Sequence, residues 1–346
     1  MKPLVSILVP AYNAQEFLTD TLRSAVGQSW DRKEIIVVDD GSRDETLAIA
    51  RQFESKSVRV VTQRNQGASA ARNKAYSLSQ GDYIQWLDAD DLLAPDKVAR
   101  QMAALEQCSS RRTLLSSAWG RFLYRYGRAK FTPSPLWADL SRSEWLMRKM
   151  EHNAYMQTAT WLVSREVSDA AGPWDTRLLG DDDGEYFCRI LLASDGTRFV
   201  PESKVFYRLP GSTNLSHIGT SDRKRDAQWL SMKLHMRYLR SLDDSERAHA
   251  ACVRYMQNWL VYFYPERPDL VQEMQDVARG LGGELHPPRL SWKYCWIDAM
   301  FGRKLAKRAQ RLLPRVRWSV ERFRDKALFQ LESRRRVDRG TMEPIR

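Results

Sequence analysis

A cluster of carboxylates is the clearest chemical feature of this 346-residue sequence. Asp88, Asp90 and Asp91 fall within four positions, directly after an apolar run. Carboxylate oxygens are hard ligands that suit Mg²⁺ or Mn²⁺, and such sites complete the shell with phosphates and water. A zinc site would normally use His or Cys, and neither is nearby. The segment predicts a site for Mg²⁺ or Mn²⁺, although a solvated acidic turn that caps the next helix would look the same.

A second candidate site combines Asp40 with Tyr12. A carboxylate can only accept hydrogen bonds, so Asp40 favours a base with an N–H edge, such as uracil, thymine or guanine. Tyr12 would stack on that base or line its pocket. The alternative is that Asp39 and Asp40 merely form an Asx-type turn ahead of Ser42.

A glycine-containing turn at 66–73 opens a predicted helix and carries Arg72. The start of a helix favours anions, and Arg72 would reach a phosphate from there. The segment has neither the spacing of a dinucleotide-binding fingerprint nor the Gly-Lys-Ser/Thr end of a P-loop, so taken alone it is weak.

Alternating strands and helices position these residues. The apolar periodicity predicts buried strands over 5–9, 34–38, 58–62 and 83–87, each followed by a helix. Ser42 and Glu45 form a capping box that predicts the start of the second helix. Four such units imply a doubly wound, mostly parallel α/β sheet flanked by helices. Ligands bind beyond the carboxyl ends of the strands in such sheets, which is where Asp40 and Asp88 stand.

Taken together, four of these segments resemble glycosyltransferase family 2. They read VSILVPAYN at 5–13, VVDDGS at 37–42, GASAARN at 67–73 and DADD at 88–91. Their order and spacing match the nucleotide-sugar half of that family, and the likeness runs over about residues 1–215. The resemblance implies a GT-A fold, a nucleoside-diphosphate sugar donor with a UDP-sugar favoured, a divalent metal on the DxD-type carboxylates, and inversion at the anomeric carbon.

The resemblance also implies roles for individual residues. Asp90 would bind Mn²⁺ or Mg²⁺ directly, and Asp88 would hold the ribose, the metal shell or both. The nucleotide-binding set is expected to be Pro10, Ala11, Tyr12, Asn13, Asp40, Arg72 and Asp88.

A second acidic run, GDDDGEYFCR at 180–189, resembles the family motif that carries the catalytic base. That motif is usually Glu-Asp followed by an aromatic residue and Glu. The register set by Glu185 and Arg189 makes Asp183 the general base and puts Asp182 in place of the family's glutamate. Asp183 would take the proton from an acceptor hydroxyl.

The turn GPWD at 172–175 resembles the family's Gly-Gly-Phe-Asp turn and supports this register. Two departures matter: Asp182 is one methylene shorter than glutamate, and Gly184 replaces an aromatic residue. Asp182 is therefore the alternative base. Asp182, Glu185 and Trp174 are expected to support the base and the acceptor.

Tyr207-Arg208 resembles the family's late Tyr-Arg motif, whose loop closes over the diphosphate. Arg208 is the expected phosphate ligand, neutralising charge on the leaving group. Many relatives have a histidine three residues later, whereas this chain has LPGS at 209–212. The nearest histidine, His217, is expected to be an ordinary loop residue.

The expected organisation has three parts. A GT-A domain covers 1–220, with a nucleotide-sugar half at about 1–110 and an acceptor half at about 111–220. A helical extension follows at 221–285, and a basic amphipathic tail at 286–346 ends the chain.

The net charge of +12 lies mainly in this tail, where residues 290–346 hold 16 Lys plus Arg and 6 Asp plus Glu. Apolar residues recur every three or four positions from 303 to 331, with basic residues between them and a kink expected at Pro314. Such a face would lie on an anionic membrane surface, where a lipid-linked acceptor is found. The alternative is an ordinary helix packed on the domain with a solvated basic side.

The sequence has no run of 18 apolar residues, and its N-terminal apolar run is too short and wrongly flanked for a signal peptide. A cytoplasmic protein is expected, peripheral on the inner face of the plasma membrane if the tail binds there. The expected activity is sugar transfer to a saccharide or lipid-linked acceptor in cell-surface polysaccharide or glycolipid synthesis.

Three other functions fit the sequence less well. A nucleic-acid-binding protein is disfavoured because a carboxylate-lined edge would repel a polyanion and no recognition module is present, so no nucleic-acid partner is expected. A nucleotidyltransferase would need a glycine-rich basic loop after the first strand, and 12–17 has neither Gly nor Lys or Arg. A catalytically inactive nucleotide-sugar-binding module remains an alternative that the retained carboxylates disfavour.

Overall fold

The structure is a computed structural model that describes residues 2–209, 221–288, 293, 295–302, 305 and 319–332. Its first elements alternate between strand and helix: β1 (Val5–Ala11), α1 (Leu18–Val26), β2 (Lys33–Asp39), α2 (Thr46–Arg51), β3 (Val58–Thr62), α3 (Ala68–Leu78), β4 (Tyr83–Trp86), β5 (Leu92–Leu93) and α4 (Lys97–Leu105). The next group is more mixed: β6 (Leu114–Phe122), β7 (Lys130–Phe131), α5 (Arg142–Glu151), β8 (Val163–Ser164), α6 (Arg165–Ala171), α7 (Asp182–Ala193) and β9 (Thr197–Arg208). Helices follow: α8 (Asp222–Leu242), α9 (Glu246–Trp259), α10 (Pro268–Gly280), α11 (Cys295–Phe301) and α12 (319–332).

The first sheet has the strand order β3-β2-β1-β4-β8. Strands β1 to β4 run parallel, and β8 pairs antiparallel with β4 at the edge. Val5, Ile7, Leu8 and Val9 of the central strand β1 are fully buried. Burial of successive residues, which point to opposite faces of a strand, shows that both faces of the sheet are covered. This confirms the mostly parallel α/β sheet predicted from the four apolar runs.

A second, mixed sheet has the order β5-β9-β6-β7. Strand β5 begins immediately after Asp91 and pairs antiparallel with the end of β9, so that Leu92 lies opposite Phe206. This pairing brings the acidic segment 88–91 beside Arg208, which is more than 110 residues away in the chain. The second sheet therefore joins the expected metal site to the expected phosphate ligand.

The predicted capping box at Ser42 and Glu45 is wrong. Helix α2 begins only at Thr46, and the residue before it makes no side-chain capping hydrogen bond. The Ser42 hydroxyl instead accepts a hydrogen bond from the backbone N–H of Asn13 at 3.0 Å. Because this serine ties the loop after β2 to the loop after β1, it is not available to cap the helix.

Helices α8 to α10 form the segment expected to be a helical extension, and they pack on the sheet-containing part of the chain. Helix α8 lies against α7 and α5, and α9 packs along α5. Trp229, Met232 and Tyr255 are fully or almost fully buried in this contact. No helix in the described ranges combines the length and the apolar character needed to span a bilayer.

Helix α12 shows how one part of the C-terminal tail is placed relative to the domain. Asp325 accepts hydrogen bonds from the backbone N–H groups of Tyr124 and Arg125 and pairs with the Arg125 guanidinium at 2.7 Å. The rings of Phe329 and Tyr124 lie 6.1 Å apart. One face of this helix therefore packs on the domain, which is the alternative to a free amphipathic tail. Pro314 and most of the tail's basic residues lie outside the described residues.

Candidate active site

The carboxyl ends of β1, β2 and β4 meet at one edge of the first sheet, as the strand order requires. The loop after β1 carries Tyr12, β2 ends in Asp39 and Asp40, and β4 leads into Asp88 and Asp90. The backbone N–H of Asp40 donates to the Ala11 carbonyl at 2.8 Å, which fixes the first two loops to each other.

Asp40 is almost fully buried and holds the loop after β3. Its Oδ1 accepts from the Gln63 side-chain amide at 2.8 Å and from the Gln66 backbone N–H at 3.0 Å. Its Oδ2 accepts from the Gly67 N–H at 2.8 Å. Asp39 makes the turn, with Oδ1 accepting from the Ser42 N–H. A carboxylate oxygen can accept from two donors, and Oδ1 already has both. Contact between Asp40 and a base therefore stays a prediction, and it would have to involve Oδ2.

The loop after β1 presents one large ring to solvent. Tyr12 is 46% exposed, as a residue that stacks on a base would be. Pro10 and Ala11 lie within β1, paired in register with Val38 and Asp39 of β2. Asn13 has a left-handed backbone with φ of 48°, and its side chain accepts from the Arg43 N–H at 2.9 Å.

The structure places Arg72 differently from the expectation. Its guanidinium is buried and pairs with Asp88 at 2.8 Å and with Asp182 at 2.7 Å. Burial disfavours its charge, but the two carboxylates outweigh that cost and raise the pKa of Arg72. The two terminal nitrogens of the Arg72 guanidinium, Nη1 and Nη2, therefore donate to protein carboxylates rather than to a phosphate. Arg72 joins the segment of the expected metal site to the segment of the expected base.

Trp174 supports this ion-pair network and is almost fully buried itself. The Arg72 guanidinium lies 4.4 Å from the Trp174 ring, whose other side stacks on Tyr186 at 4.0 Å. The Asn73 side chain exchanges hydrogen bonds with the backbone of Trp174. At 2% exposure, Trp174 has no surface to offer an acceptor, and it acts here by positioning Arg72.

Asp88 and Asp90 are the two carboxylates expected to hold a metal. Burial and the neighbouring charge of Asp88 raise the pKa of Asp90 to about 6, and a divalent cation would offset that repulsion. Over the described ranges, no group of three or more His, Cys, Asp or Glu side chains is arranged to hold a metal. Two carboxylates together with substrate phosphates are a common way to hold Mg²⁺, so this pair fits Mg²⁺ or Mn²⁺.

Asp91 has a structural role that the sequence did not reveal. It is fully buried and accepts hydrogen bonds from the Gln157 side-chain amide and from the Arg208 backbone N–H. Burial and the charges of Asp90 and Asp88 raise its pKa well above the usual range. Asp91 therefore fastens the acidic segment to β9 and to the loop that follows α5.

Arg208 lies next to this segment with 3% exposure. Its guanidinium is sandwiched between the rings of Phe17 at 4.3 Å and Phe122 at 4.5 Å. It donates to the backbone carbonyls of Asp90 and Leu123. Burial lowers its pKa, so a bound anion would stabilise its charge. Phosphate binding by Arg208 stays a prediction, and His217 lies outside the described residues.

Asp183 and Asp182 begin helix α7, and their surroundings differ. The Asp182 Oδ2 accepts from Arg72 and from the Ser69 hydroxyl at 2.9 Å. Among the residues that the structure describes, Asp183 has one long side-chain hydrogen bond, of 3.3 Å from the Thr158 hydroxyl. Burial and the charges of Asp182 and Asp181 raise its pKa to about 7. A general base works best with a pKa near the working pH, so Asp183 fits that role better than Asp182.

Glu185 does not support the acceptor. Its carboxylate is 2% exposed and binds Arg189 through both oxygens at 2.7 and 2.8 Å. It also accepts from the Tyr238 hydroxyl at 2.7 Å. Because these donors occupy the carboxylate, Glu185 links α7 to α8 and has a structural role.

Sequence reasoning missed the residues that hold the start of α7. Asp181 has a left-handed backbone with φ of 55°, and its Oδ2 accepts from Ser231 at 2.8 Å and from Gln228 at 3.1 Å, both on α8. Its Oδ1 lies 2.0 Å from where a Cβ on Gly184 would stand. The glycine that departs from the family's aromatic residue therefore makes room for Asp181. In the sequence, the glycine at position 184 was the only sign that Asp181 occupies this space.

The sequence profile described as Glycosyl transferase family 2 matches residues 6–167. The match includes the β1, β2 and β4 loops that meet at the site. This part of the chain, residues 6–167, is therefore similar to glycosyltransferase family 2. Asp183 and Arg208 lie beyond the matched residues, so their assignment rests on the geometry given above.

Relatives with sequence similarity share this same N-terminal part. An uncharacterized glycosyltransferase of Haemophilus influenzae is 43% identical over 103 residues, covering 29% of this chain and 41% of that protein. A putative teichuronic acid biosynthesis glycosyltransferase, TuaG, of Bacillus subtilis is 43% identical over 104 residues, with the same two shares. The chondroitin synthase of Escherichia coli is 42% identical over 98 residues, covering 28% of this chain and 14% of that protein. The chain thus spans about two fifths of the first two relatives.

The GT-A fold is confirmed by a solved structure. The crystal structure of S. aureus TarS 1–349 in complex with UDP-GlcNAc superposes with a TM-score of 0.61, covering 81% of this chain and 79% of that chain. The two sequences are 18% identical, so the likeness is one of fold. The superposition covers a larger share of the chain than the profile match does.

Proposed function

We propose that this chain transfers a sugar from a nucleoside-diphosphate sugar, with a UDP-sugar favoured, to the hydroxyl of a saccharide or lipid-linked acceptor, with inversion at the anomeric carbon. The observation that carries this proposal is the link that Arg72 makes between Asp88 and Asp182. It joins Asp88, one of the two carboxylates expected to hold a metal, to Asp182, the residue next to the half-buried Asp183.

Support for the donor comes from the loops at the sheet edge and from the comparisons. Tyr12 offers an exposed ring. The Asp40 Oδ2 accepts one hydrogen bond, from the Gly67 N–H, and has capacity for a second from the N–H edge of a base. The TarS structures contain UDP or UDP-GlcNAc in the same fold. Uracil is therefore the base favoured for this chain.

The chemistry of transfer can be assigned to the residues of the site. Asp183 accepts the proton of the acceptor hydroxyl as its oxygen forms a bond to the anomeric carbon. The bond between that carbon and the phosphate oxygen breaks, and the nucleoside diphosphate departs with the electron pair. Arg208 would stabilise the departing charge. Mg²⁺ or Mn²⁺ held by Asp90 and Asp88 supplies further positive charge to the diphosphate when bound. Attack opposite the leaving group with a single base gives inversion, by analogy with glycoside cleavage.

The biological setting is proposed from the relatives and from the tail. Names such as teichuronic acid biosynthesis glycosyltransferase and chondroitin synthase favour polysaccharide synthesis. On α12 the side chains of Val320, Phe323 and Leu331 are 65%, 77% and 52% exposed, and Arg324 is also exposed. An apolar and basic outer face of this kind suits an anionic membrane surface. We place the protein at the inner face of the plasma membrane, where lipid-linked acceptors are found.

The test compares the wild-type protein with Asp183→Asn and with Asp276→Asn, an exposed control on α10. We expect UDP with Mn²⁺ to raise the melting temperature of all three proteins. Release of nucleoside diphosphate from a donor panel should fall by about 10²–10⁴-fold only in Asp183→Asn. Unchanged turnover in that variant would refute the assignment of the base. A wild-type protein that binds donors but never turns them over would be an inactive binding module.

A further inference from the structure

An aromatic platform lies beside the catalytic carboxylates, and its outer part is exposed. The rings of Trp119 and Tyr155 are 5.1 Å apart, and those of Trp119 and Tyr207 are 5.8 Å apart. Trp119 is 6% exposed, whereas Tyr155 is 44% exposed. In this platform the Trp119 ring is buried and the Tyr155 ring is exposed to solvent.

A short stretch of chain connects this platform to Asp183, the proposed general base. Tyr155 lies three residues before Thr158, whose hydroxyl donates to Asp183, and two before Gln157, which binds Asp91. The charge of Asp183 is also close enough to contribute to a raised pKa of Tyr155, although burial is the larger cause. A molecule that rests on Tyr155 would therefore lie near Asp183.

The open end of the platform carries a cation. The Arg121 guanidinium lies 5.1 Å from the Trp119 ring and 5.9 Å from the Tyr155 ring, and it donates to the Tyr155 hydroxyl at 3.1 Å. Arg121 is exposed, and no carboxylate among the described residues pairs with it. Stacking holds the planar group in place and leaves other N–H donors facing solvent.

We propose that Arg121 and Tyr155 form an acceptor subsite for an anionic glycan, one whose sugar units carry a carboxylate or a phosphate. This inference rests on the proposed function. An aromatic ring can stack on the apolar face of a sugar ring. The Arg121 guanidinium can donate paired hydrogen bonds to a carboxylate or to a phosphate. The positive charge of Arg121 would offset the repulsion of an anionic acceptor by the nearby carboxylates Asp88, Asp90 and Asp183.

The experiment measures glycan binding by calorimetry with UDP and Mn²⁺ present, so that it does not depend on turnover. Three oligosaccharides of equal length are used: one with uronic acid units, one with phosphate units and one neutral. The proteins are wild type, Arg121→Gln, Arg121→Lys and Arg128→Gln, which removes an exposed charge from the neighbouring loop. Release of nucleoside diphosphate without acceptor is measured on the same samples.

We expect at least one anionic glycan to bind wild type more tightly than the neutral one. Its dissociation constant should rise about tenfold in Arg121→Gln, less in Arg121→Lys and not in Arg128→Gln. The preference should weaken at high salt. Equal binding of all three glycans, or equal losses in Arg121→Gln and Arg128→Gln, would overturn the subsite. Absence of diphosphate release in wild type would instead count against the proposed function, whatever the glycan binding shows.

Discussion

Gly184→Ala should destabilise this protein, although the same change inside a helix usually stabilises by up to about 1 kcal/mol. The new Cβ would lie 2.0 Å from the Asp181 Oδ1 and 2.8 Å from its Cγ, so the carboxylate must move. Movement breaks its hydrogen bonds with Ser231 and Gln228 on α8. Bonds to a charged group contribute about 1.5–3 kcal/mol each, so the loss is about 3–6 kcal/mol before the gain from alanine. Because the Asp181 side chain keeps 18% exposure, we expect the low end, a net loss of about 2 kcal/mol.

The assay is urea unfolding of wild type, Gly184→Ala and Gly127→Ala. Gly127 is the matched control, since nothing lies within 4 Å of its added Cβ. Its substitution should change the unfolding free energy by no more than about 0.5 kcal/mol. Turnover should also fall in Gly184→Ala, because Asp183 lies in the same helical turn as the displaced Asp181.

A double-mutant cycle isolates the cause. Asp181→Gly removes the obstructing carboxylate and tolerates the left-handed backbone at that position. In that background, Gly184→Ala should be neutral or stabilising by up to about 1 kcal/mol. The reasoning fails if Gly184→Ala is as stable as wild type, or if its cost is the same with and without the Asp181 side chain.

Two further predictions concern the base and the tail. Burial, with the charges of Asp182 and Asp181, raises the pKa of Asp183 to about 7, and the base must be ionised to act. The kcat/KM of sugar transfer should therefore fall roughly tenfold for each unit of pH below about 7, and a flat profile down to about pH 5 would contradict this. Asp325→Ala removes the acceptor for the Tyr124 and Arg125 backbone N–H groups, so α12 should exchange its amide hydrogens faster while β1 keeps its protection. Unchanged exchange in α12 would show that other contacts hold the helix.

Much of the fold followed from local patterns. The apolar runs that became β1, β2 and β4 are largely buried on both faces, and such runs can be detected in the sequence. Strand β3 lies at the edge of the sheet and is partly exposed. The connection rules for parallel strands then bring the loops with Tyr12, Asp40 and Asp88 to one edge. The family resemblance added Asp183 and Arg208, which no spacing rule within the first hundred residues would have found.

Tertiary packing alone decided how the site's charges are paired. Arg72 binds Asp182, which is 110 residues away, and Glu185 is taken up by Arg189 and Tyr238. Local periodicity tells which residues form a helix and which face is buried, but a charged side chain reaches several ångströms and can choose among partners that only the folded chain brings near. The ion-pair partner of Arg72 and the structural role of Glu185 depend on where α7 docks against α3 and α8, and that position is set by the packing of the whole core rather than by any one segment.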